Sequence, residues 1–488
     1  MSECVPSSET LPPFGILPPF EKGGSGGIFR LIRRDRGNIR EQLLRAEKCD
    51  REIPPHPPFS KWGRTPKGRI LVLLVALLLP TLASAQCTGD CDRDRSVSIA
   101  ELLRGVGISL GSGAVGTCEP FDRDRNQQVG VDELISGVGH ALDGCPKQSR
   151  AFVATSSFQE GSYAVVGLDP PRAVTPSTPQ RRIFRDSVVR TFDGVVYAVN
   201  RLFADNIQVL DPADNFRTQT QCSTGNGTNP HDIAFASRHK AYVTLFEERE
   251  LLIVNPAPRP DCADFILGRI DLSPLADHDG VPDMDQMAIV GDRLYVSLQR
   301  LDIKSALRLP AENGALAVID TTSDTLIGGI ELSGENPFGA TKGLTVRDGA
   351  IWLSESGRFN TLDGGIERVD LASGTAGGFV VSEQELGGDV TDFVIVSDHL
   401  AYATINRSGF TNALISFDPT TRQVLATHHE SNTYTLFDLE LNDRGELYLA
   451  DRSRRTAGLR VFRAADGAAL VDGTMNLGLP PFEILFLE

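Results

Sequence analysis

The stretch DQMAIVGDRLYVSLQR (285–300) reads as two apolar runs joined by a Gly291-Asp292 turn; GALAVIDTTSD (314–324) and TLIGGIEL (325–332) add a third and a fourth. Short runs of this kind, bounded by turn formers, are strands, and four in succession make one antiparallel sheet. The phrase is written seven times. Its second run has counterparts in VVYAVN (195–200), KAYVTL (240–245), AIWLSE (350–355), LAYATI (400–405) and ELYLAD (446–451). The aromatic of that run falls at Phe152, Tyr197, Tyr242, Tyr295, Trp352, Tyr402 and Tyr448. Spacings of 45, 45, 53, 57, 50 and 46 residues are those of four-stranded sheets repeated about an axis. The third run closes on Asp169, Asp211, Asn255, Asp320, Asp370 or Asp418, and only LRVFR (459–463) breaks that rule. The expected fold is therefore mainly β, a seven-bladed β-propeller over residues 150–488. RAFVATS (150–156) is a second strand lacking a first and PPFEILFLE (480–488) a first strand lacking a second. The chain ends should pair in one blade and leave no bare edge.

Over these residues the pattern resembles the YVTN/YncE-like seven-bladed propellers. The resemblance implies the same ring of blades and rests on strand pattern, not on a catalytic signature.

Upstream, Lys61, Arg64, Lys67 and Arg69 lead into the apolar ILVLLVALLLP (70–80), followed by Ala83-Ser84-Ala85. A basic start, a short apolar core and an A-x-A site make 64–85 a signal peptide, with the mature chain beginning near Gln86. An apolar core this short is below the ~20 residues of a membrane span, so no transmembrane segment is expected. A lipid anchor on Cys87 would need a small residue before it, where Gln86 stands. Residues 1–63 carry the Pro/Gly-rich LPPFGILPPFEKGGSGG (11–27) and read as a disordered extension or a start site placed too far upstream. Within it GGSGG matches G-x-S-x-G in letters only, with no strand-turn-helix around it. Without its first 85 residues the chain has 35 Lys and Arg against 56 Asp and Glu. That acidity argues against nucleic acid and anionic membrane surfaces as partners. A secreted or periplasmic, monomeric protein is expected.

Residues 86–148 form an internal duplication. Asp90-x-Asp92-x-Asp94-x-Ser96-Val97-Ser98-x-x-Glu101 recurs 32 positions on as Asp122-x-Asp124-x-Asn126-x-Gln128-Val129-Gly130-x-x-Glu133. Calcium takes six to eight oxygens, and a twelve-residue loop supplies them from positions 1, 3, 5, 7, 9 and 12. The candidate ligands are Asp90, Asp92, Asp94, Ser96, Ser98 and Glu101, then Asp122, Asp124, Asn126, Gln128 and Glu133, with Ca2+ as the cofactor. The pattern resembles paired EF-hand loops, and the missing helix before Asp90 resembles the dockerin-type variant. At position 6, where that family has Gly, stand Arg95 and Gln127; a left-handed residue with a Cβ costs ~1–2 kcal/mol. The bland alternative is that DRDRS and DRDRN are solvated charge runs in a disulfide-tied spacer. Of the two loops the first, with more carboxylates, is the better site. Each is followed by a helix whose apolar residues, Leu102, Leu103 and Val106 or Leu134, Ile135 and Val138, should pack the two units together.

Six cysteines follow the signal, an even number that favours disulfides. Cys87, Cys91, Cys118 and Cys145 allow three pairings, and Cys222 with Cys262 would bridge neighbouring outer strands.

In the propeller, the positions ten residues before the aromatics are Ser187, Asp232, Asp285, Lys342, Asp392 and Asp438, with Glu483 in the matching place of the closing strand. Two readings compete: the acids cap backbone N–H groups of the adjacent blade, or Asp232, Asp285, Asp392, Asp438 and Glu483 form a collar that binds a cation. Beside them Asp277-His278-Asp279-Gly280-Val281-Pro282-Asp283-Met284-Asp285 resembles thrombospondin type 3 calcium repeats, against the alternative of a solvated turn. Arginines after the second strands, Arg201, Arg300, Arg358, Arg407, Arg452, Arg454 and Arg455, would make with the acids a mixed-charge rim for a peptide, glycan or anionic polymer, against the favoured alternative of rim salt bridges. His231 and the His428-His429 pair lack a third ligand at zinc spacing. The loop 298–314 is the candidate specificity element.

Two function classes follow. In one, a secreted calcium-binding protein uses its propeller as a scaffold for a protein, peptide or glycan. In the other, a cation-dependent lactonase-like hydrolase holds its metal at the channel mouth. Propellers host both, and no catalytic residue is assigned.

Overall fold

The computed structural model describes residues 87–487 except 93–95, 124–125, 146–148, 260, 303, 306–307, 340–341 and 410. The expected signal peptide and the extension before it lie outside the described residues, as do Asp94, Arg95 and Asp124.

Two helices, α1 (Ile99–Ser109) and α2 (Val131–Asp143), follow the two acidic loops. The start of α1 is a capping box: Ser98 Oγ accepts the Glu101 N–H at 3.3 Å, and the Glu101 carboxylate accepts the Ser98 N–H at 2.8 Å. Gly130 has no side chain to cap with, so α2 keeps only the return bond, Gly130 N–H to Glu133 at 2.8 Å. Phe121 is fully buried between the helices. A Cβ on Gly105 or Gly137 would lie 2.5 or 2.6 Å from its ring, so both contacts need glycine. Ile108, Cys118 and Val129 complete this core, with Leu102 and Leu134 packed against it.

The expected apolar stripes are thereby corrected. Leu103 and Ile135 are each 67% exposed, and Val106 and Val138 are exposed as well, because the phenylalanine and two glycines occupy the interface. Cys87–Cys145 and Cys91–Cys118 close the module, one of the three pairings left open by the sequence.

The remainder is a ring of seven sheets. Blades 2 to 6 have Ser187–Phe192, Pro230–Ser237, Met284–Val290, Thr345–Arg347 and Asp389–Ser397 as their innermost strands. Each leads to three antiparallel neighbours. Blade 7 begins at Leu436–Leu441 and has three strands; isolated bridges, Phe462 to Ala469 and Leu459 to Met475, stand where a fourth would run. Blade 1 joins Pro481–Leu487 to Arg150–Ser156, with Phe152 opposite Leu485 and Ala154 opposite Glu483. The ring is closed by the pairing expected from the unmatched end strands, which leaves no edge at the joint.

The recurring aromatics sit between blades. All are buried except Trp352, which is half-buried. Three hydroxyls donate to the next blade: Tyr197 to the Pro256 carbonyl at 3.3 Å, Tyr242 to Asp324 at 2.5 Å and Tyr402 to the Ala464 carbonyl at 3.0 Å. A ring with a polar tip fills the gap and satisfies its own hydroxyl. The acids ending the third strands have a local role: Asp211, Asp320, Asp370 and Asp418 accept N–H bonds from Ala213, Thr322, Ser373 and Thr420 and so fold the turn. Cys222 pairs with Cys262. Only Cys222 lies on an outer strand; Cys262 is in the loop before Ile266–Asp271, where blade 3 reaches toward blade 2. Among the described residues no helix is long and apolar enough to cross a membrane.

Candidate functional site

In the first acidic loop Glu101 is held by four donors. Its Oε1 accepts N–H bonds from Cys91 (2.7 Å) and Asp92 (3.3 Å), and its Oε2 accepts from the N–H and Oγ of Ser98 (2.8 and 2.9 Å). Burial pushes this carboxyl up, but the bonds from Ser98, Cys91 and Asp92 outweigh it and hold Glu101 below the usual range, hence ionised. Asp90 and Glu101 are buried, and Asp90, Asp92 and Glu101 each offer an oxygen within 4.8 Å of the others. Calcium–oxygen bonds of ~2.3–2.6 Å place ligands on opposite sides of the ion about 5 Å apart, so this triad fits one ion. Ser96 and Ser98 follow in the same loop, both exposed.

The second loop is built alike but engaged differently. Glu133 accepts N–H bonds from Arg123 at 2.6 Å and Gly130 at 2.8 Å, and Asn126 from Gln128 at 2.8 Å. Gln127, at the position expected to be strained, has φ +64° and donates its N–H to Asp122 Oδ2 at 3.0 Å. Asp122 is almost wholly buried, and the Arg238 guanidinium of the propeller lies 3.5 Å from its Oδ2.

At the channel mouth the collar acids meet backbone. Asp232 accepts the N–H of Met287 (2.8 Å), Asp392 that of Leu439 (2.7 Å), Asp438 that of Ile484 (2.8 Å) and Glu483 that of Val189. Each bond runs from one blade to the next. Two cations bridge the same acids. Arg190 reaches Asp232 at 2.7 Å and Glu483 at 2.6 Å, and Lys342 reaches Asp392 at 3.3 Å and Glu440 at 3.4 Å. Burial, with the charges of Glu440, Asp392 and Glu483, pushes Asp438 well above the usual carboxylate range against the pull of Lys342. Among the described residues no three of the five collar acids offer oxygens within 4.8 Å of one another. Capping is thus what four of these five carboxylates do here. Sequence reasoning missed Glu440 and Arg190. Glu440 follows Asp438 by two residues on the same strand face, a period that would have found it. Arg190 had no such signal.

Asp285 is the exception in the collar. It pairs with His231 Nδ1 at 2.9 Å and accepts from Gln299 Nε2 at 2.7 Å, while His231 stacks on Phe246 with ring centres 4.3 Å apart. In the neighbouring loop Asp277 accepts the Asp279 N–H (3.0 Å), Asp279 that of Val281 (2.9 Å) and Asp283 that of Leu301 (2.8 Å). Burial pushes Asp283 up to about 8 despite the Leu301 N–H and the nearby Arg308. The first two bonds are those of a tight turn, and these carboxylates form no group of three within 4.8 Å.

Three of the rim arginines form the expected close salt bridges. Arg201 meets Asp186 at 2.5 Å, Arg300 holds Glu331 by two bonds of 2.7 and 2.9 Å, and Arg407 meets Glu430 at 2.5 Å. Arg358 comes only within 3.9 Å of Glu335. Arg452 instead donates to the Pro481 and Ser156 carbonyls and lies 4.3 Å over Phe158 and 4.7 Å over Phe437. Burial lowers its guanidinium to about 10.

No protein-family model matches the chain, and no curated protein does. Solved structures are similar to it. A putative 6-phosphogluconolactonase from Bacteroides fragilis NCTC 9343 is 11% identical, with 70% of this chain and 98% of that one covered at a TM-score of 0.49. A protein from Lactobacillus plantarum is 14% identical over 70% of this chain and 100% of that one, TM-score 0.48. AztD from Citrobacter koseri is 11% identical over 70% and 98%, TM-score 0.43. At identities and scores this low, nothing about the chemistry of this chain follows from them.

Proposed function

We propose that this is an exported calcium-binding protein whose propeller is an interaction scaffold, with the ion held in the first acidic loop by Asp90, Asp92 and Glu101. The observation that carries the reading is the convergence of those three carboxylates within 4.8 Å. The ionised state of Glu101 and the two-fold repeat of an EF-hand-like, dockerin-like register support it. Three disulfides favour an extracytoplasmic site of folding. The partner is a protein, peptide or glycan at the propeller face, where loops and paired charges offer a polar surface. The hydrolase alternative needs a cation at the channel mouth, and acids bound to backbone N–H groups lend it no support.

Calcium that binds only the folded chain raises its stability by mass action, ~2.7 kcal/mol at a hundredfold excess over Kd. Calorimetry of the full chain should therefore show a higher melting temperature in millimolar Ca2+ than in chelator, and Glu101→Gln should remove the difference. An unchanged melting temperature up to 10 mM Ca2+, a concentration roughly an order above the weakest extracellular calcium modules, would refute the reading.

A further inference from the structure

Arg238 occupies the turn between the first two strands of blade 3, facing the helical module. Its backbone N–H donates to Glu119 at 3.0 Å. Its side chain is 13% exposed. Nε and Nη2 grip the two oxygens of Asp193 at 2.9 and 3.2 Å, Nη2 also donates to the Asp122 carbonyl at 3.0 Å, and Nη1 stands 3.5 Å from Asp122 Oδ2. Asp122 is position 1 of the second acidic loop, the first carboxylate a cation would use there. Its other oxygen, Oδ1, is buried and makes no hydrogen bond.

We propose that the second acidic loop is a receptor for the propeller's Arg238 and not for calcium, so that the folded chain holds one calcium ion where its sequence repeats two loops. The inference rests on the calcium reading of the first loop and concerns the second alone. A guanidinium already neutralises Asp122 from one side. A divalent ion bound by the same carboxylate would sit within several ångströms of that charge in a poorly hydrated interface, where like charges repel strongly. The fork geometry of arginine suits the job: it serves Asp193 and the Asp122 carbonyl together, tying the turns of blades 2 and 3 to the loop. In the first loop Glu101 is held by donors of its own loop. The duplicated module is thus asymmetric: one loop for an ion, the other for docking.

The test is calcium stoichiometry of the full chain by equilibrium dialysis. The wild type should bind one ion per chain, lost with Glu101→Gln and unaffected by Glu133→Gln. Arg238→Gln, which keeps length and removes charge, should add a second ion or raise affinity at the second loop at least about tenfold, and Glu133→Gln should abolish that gain. Arg238→Met, which also removes the charge and keeps an unbranched side chain, serves as a second variant should Arg238→Gln fold poorly, and the same gain is expected. Two ions in the wild type, one of them removed by Glu133→Gln, would overturn the proposal. So would an Arg238→Gln chain that folds and gains nothing. If the wild type binds none while Arg238→Gln binds one that Glu133→Gln removes, the first-loop reading fails and this inference stands.

Discussion

Gln127 shows what a single backbone position decides. Its φ of +64° is the left-handed conformation that the loop register demands, adopted by a residue with a Cβ. Glycine there should be more stable by up to ~1 kcal/mol, the steric relief being partly offset by the greater freedom of glycine in the unfolded chain. Urea denaturation of Gln127→Gly checks this, and a loss of stability would mean that the side chain makes contacts outweighing the strain. Inside blade 5, Glu355 and Glu367 are fully buried and interact electrostatically. Glu367 is kept charged by the Ser333 N–H, the Ser333 hydroxyl and the Gly378 N–H at 2.9, 2.6 and 2.7 Å. Burial, then the hydrogen bond and charge of Glu367, push Glu355 well above the usual range, so Glu355 is the member of the pair that keeps its proton to higher pH. The folded chain binds more protons here than the unfolded one, so this contribution is full below the ordinary glutamate range and lost as pH rises through the folded value. Glu355→Gln keeps a donor toward Glu367 without a titrating proton. Its stability should fall less between pH 5 and 9, a range spanning about four units above the ordinary glutamate value, than that of the wild type, and parallel pH profiles would sink the idea.

At the level of elements, the small module is held by an unusual interface: one phenylalanine between two glycine-bearing helix faces, with two disulfides around it. Phe121→Ala should cost ~3–5 kcal/mol of module stability. With the disulfides intact the chain would not come apart, so hydrogen exchange in α1 and α2 is the suitable readout, with protection falling there and unchanged in the propeller. Gly105→Ala should be damaging too, since its Cβ would meet the Phe121 ring at 2.5 Å. The helices themselves were legible from the sequence, because apolar residues at helical spacing after each acidic loop are a local feature. Which apolar residues turn inward was not. Leu102 and Leu103 are adjacent, and only the position of Phe121, which the loop delivers from elsewhere, selects the first over the second.

At the scale of the whole molecule, the collar works as a set of ties around the ring. Asp392→Asn keeps one oxygen to accept from Leu439 or Phe393 but weakens the bond and removes one of the two carboxylate partners of Lys342. It should lower stability by ~1–3 kcal/mol with no change in bound calcium; loss of an ion without loss of stability would restore the cation reading. Much of this architecture was legible in the amino-acid sequence. The seven aromatics, the turn-forming aspartates and the unmatched end strands are patterns within one repeat or at its boundaries, and side-chain alternation along a strand translates them directly into blades. The duplicated acidic loops were legible for the same reason, since each copy of the repeat lies within twelve consecutive residues. What a carboxylate meets was decided only in three dimensions. Asp438 finds the Ile484 N–H 46 residues away, Glu483 finds Val189 across 294, and Asp122 finds the Arg238 guanidinium across 116. Ring closure and docking bring these groups together, and no spacing along the chain encodes whether an acid ends beside a backbone donor, an arginine or another acid.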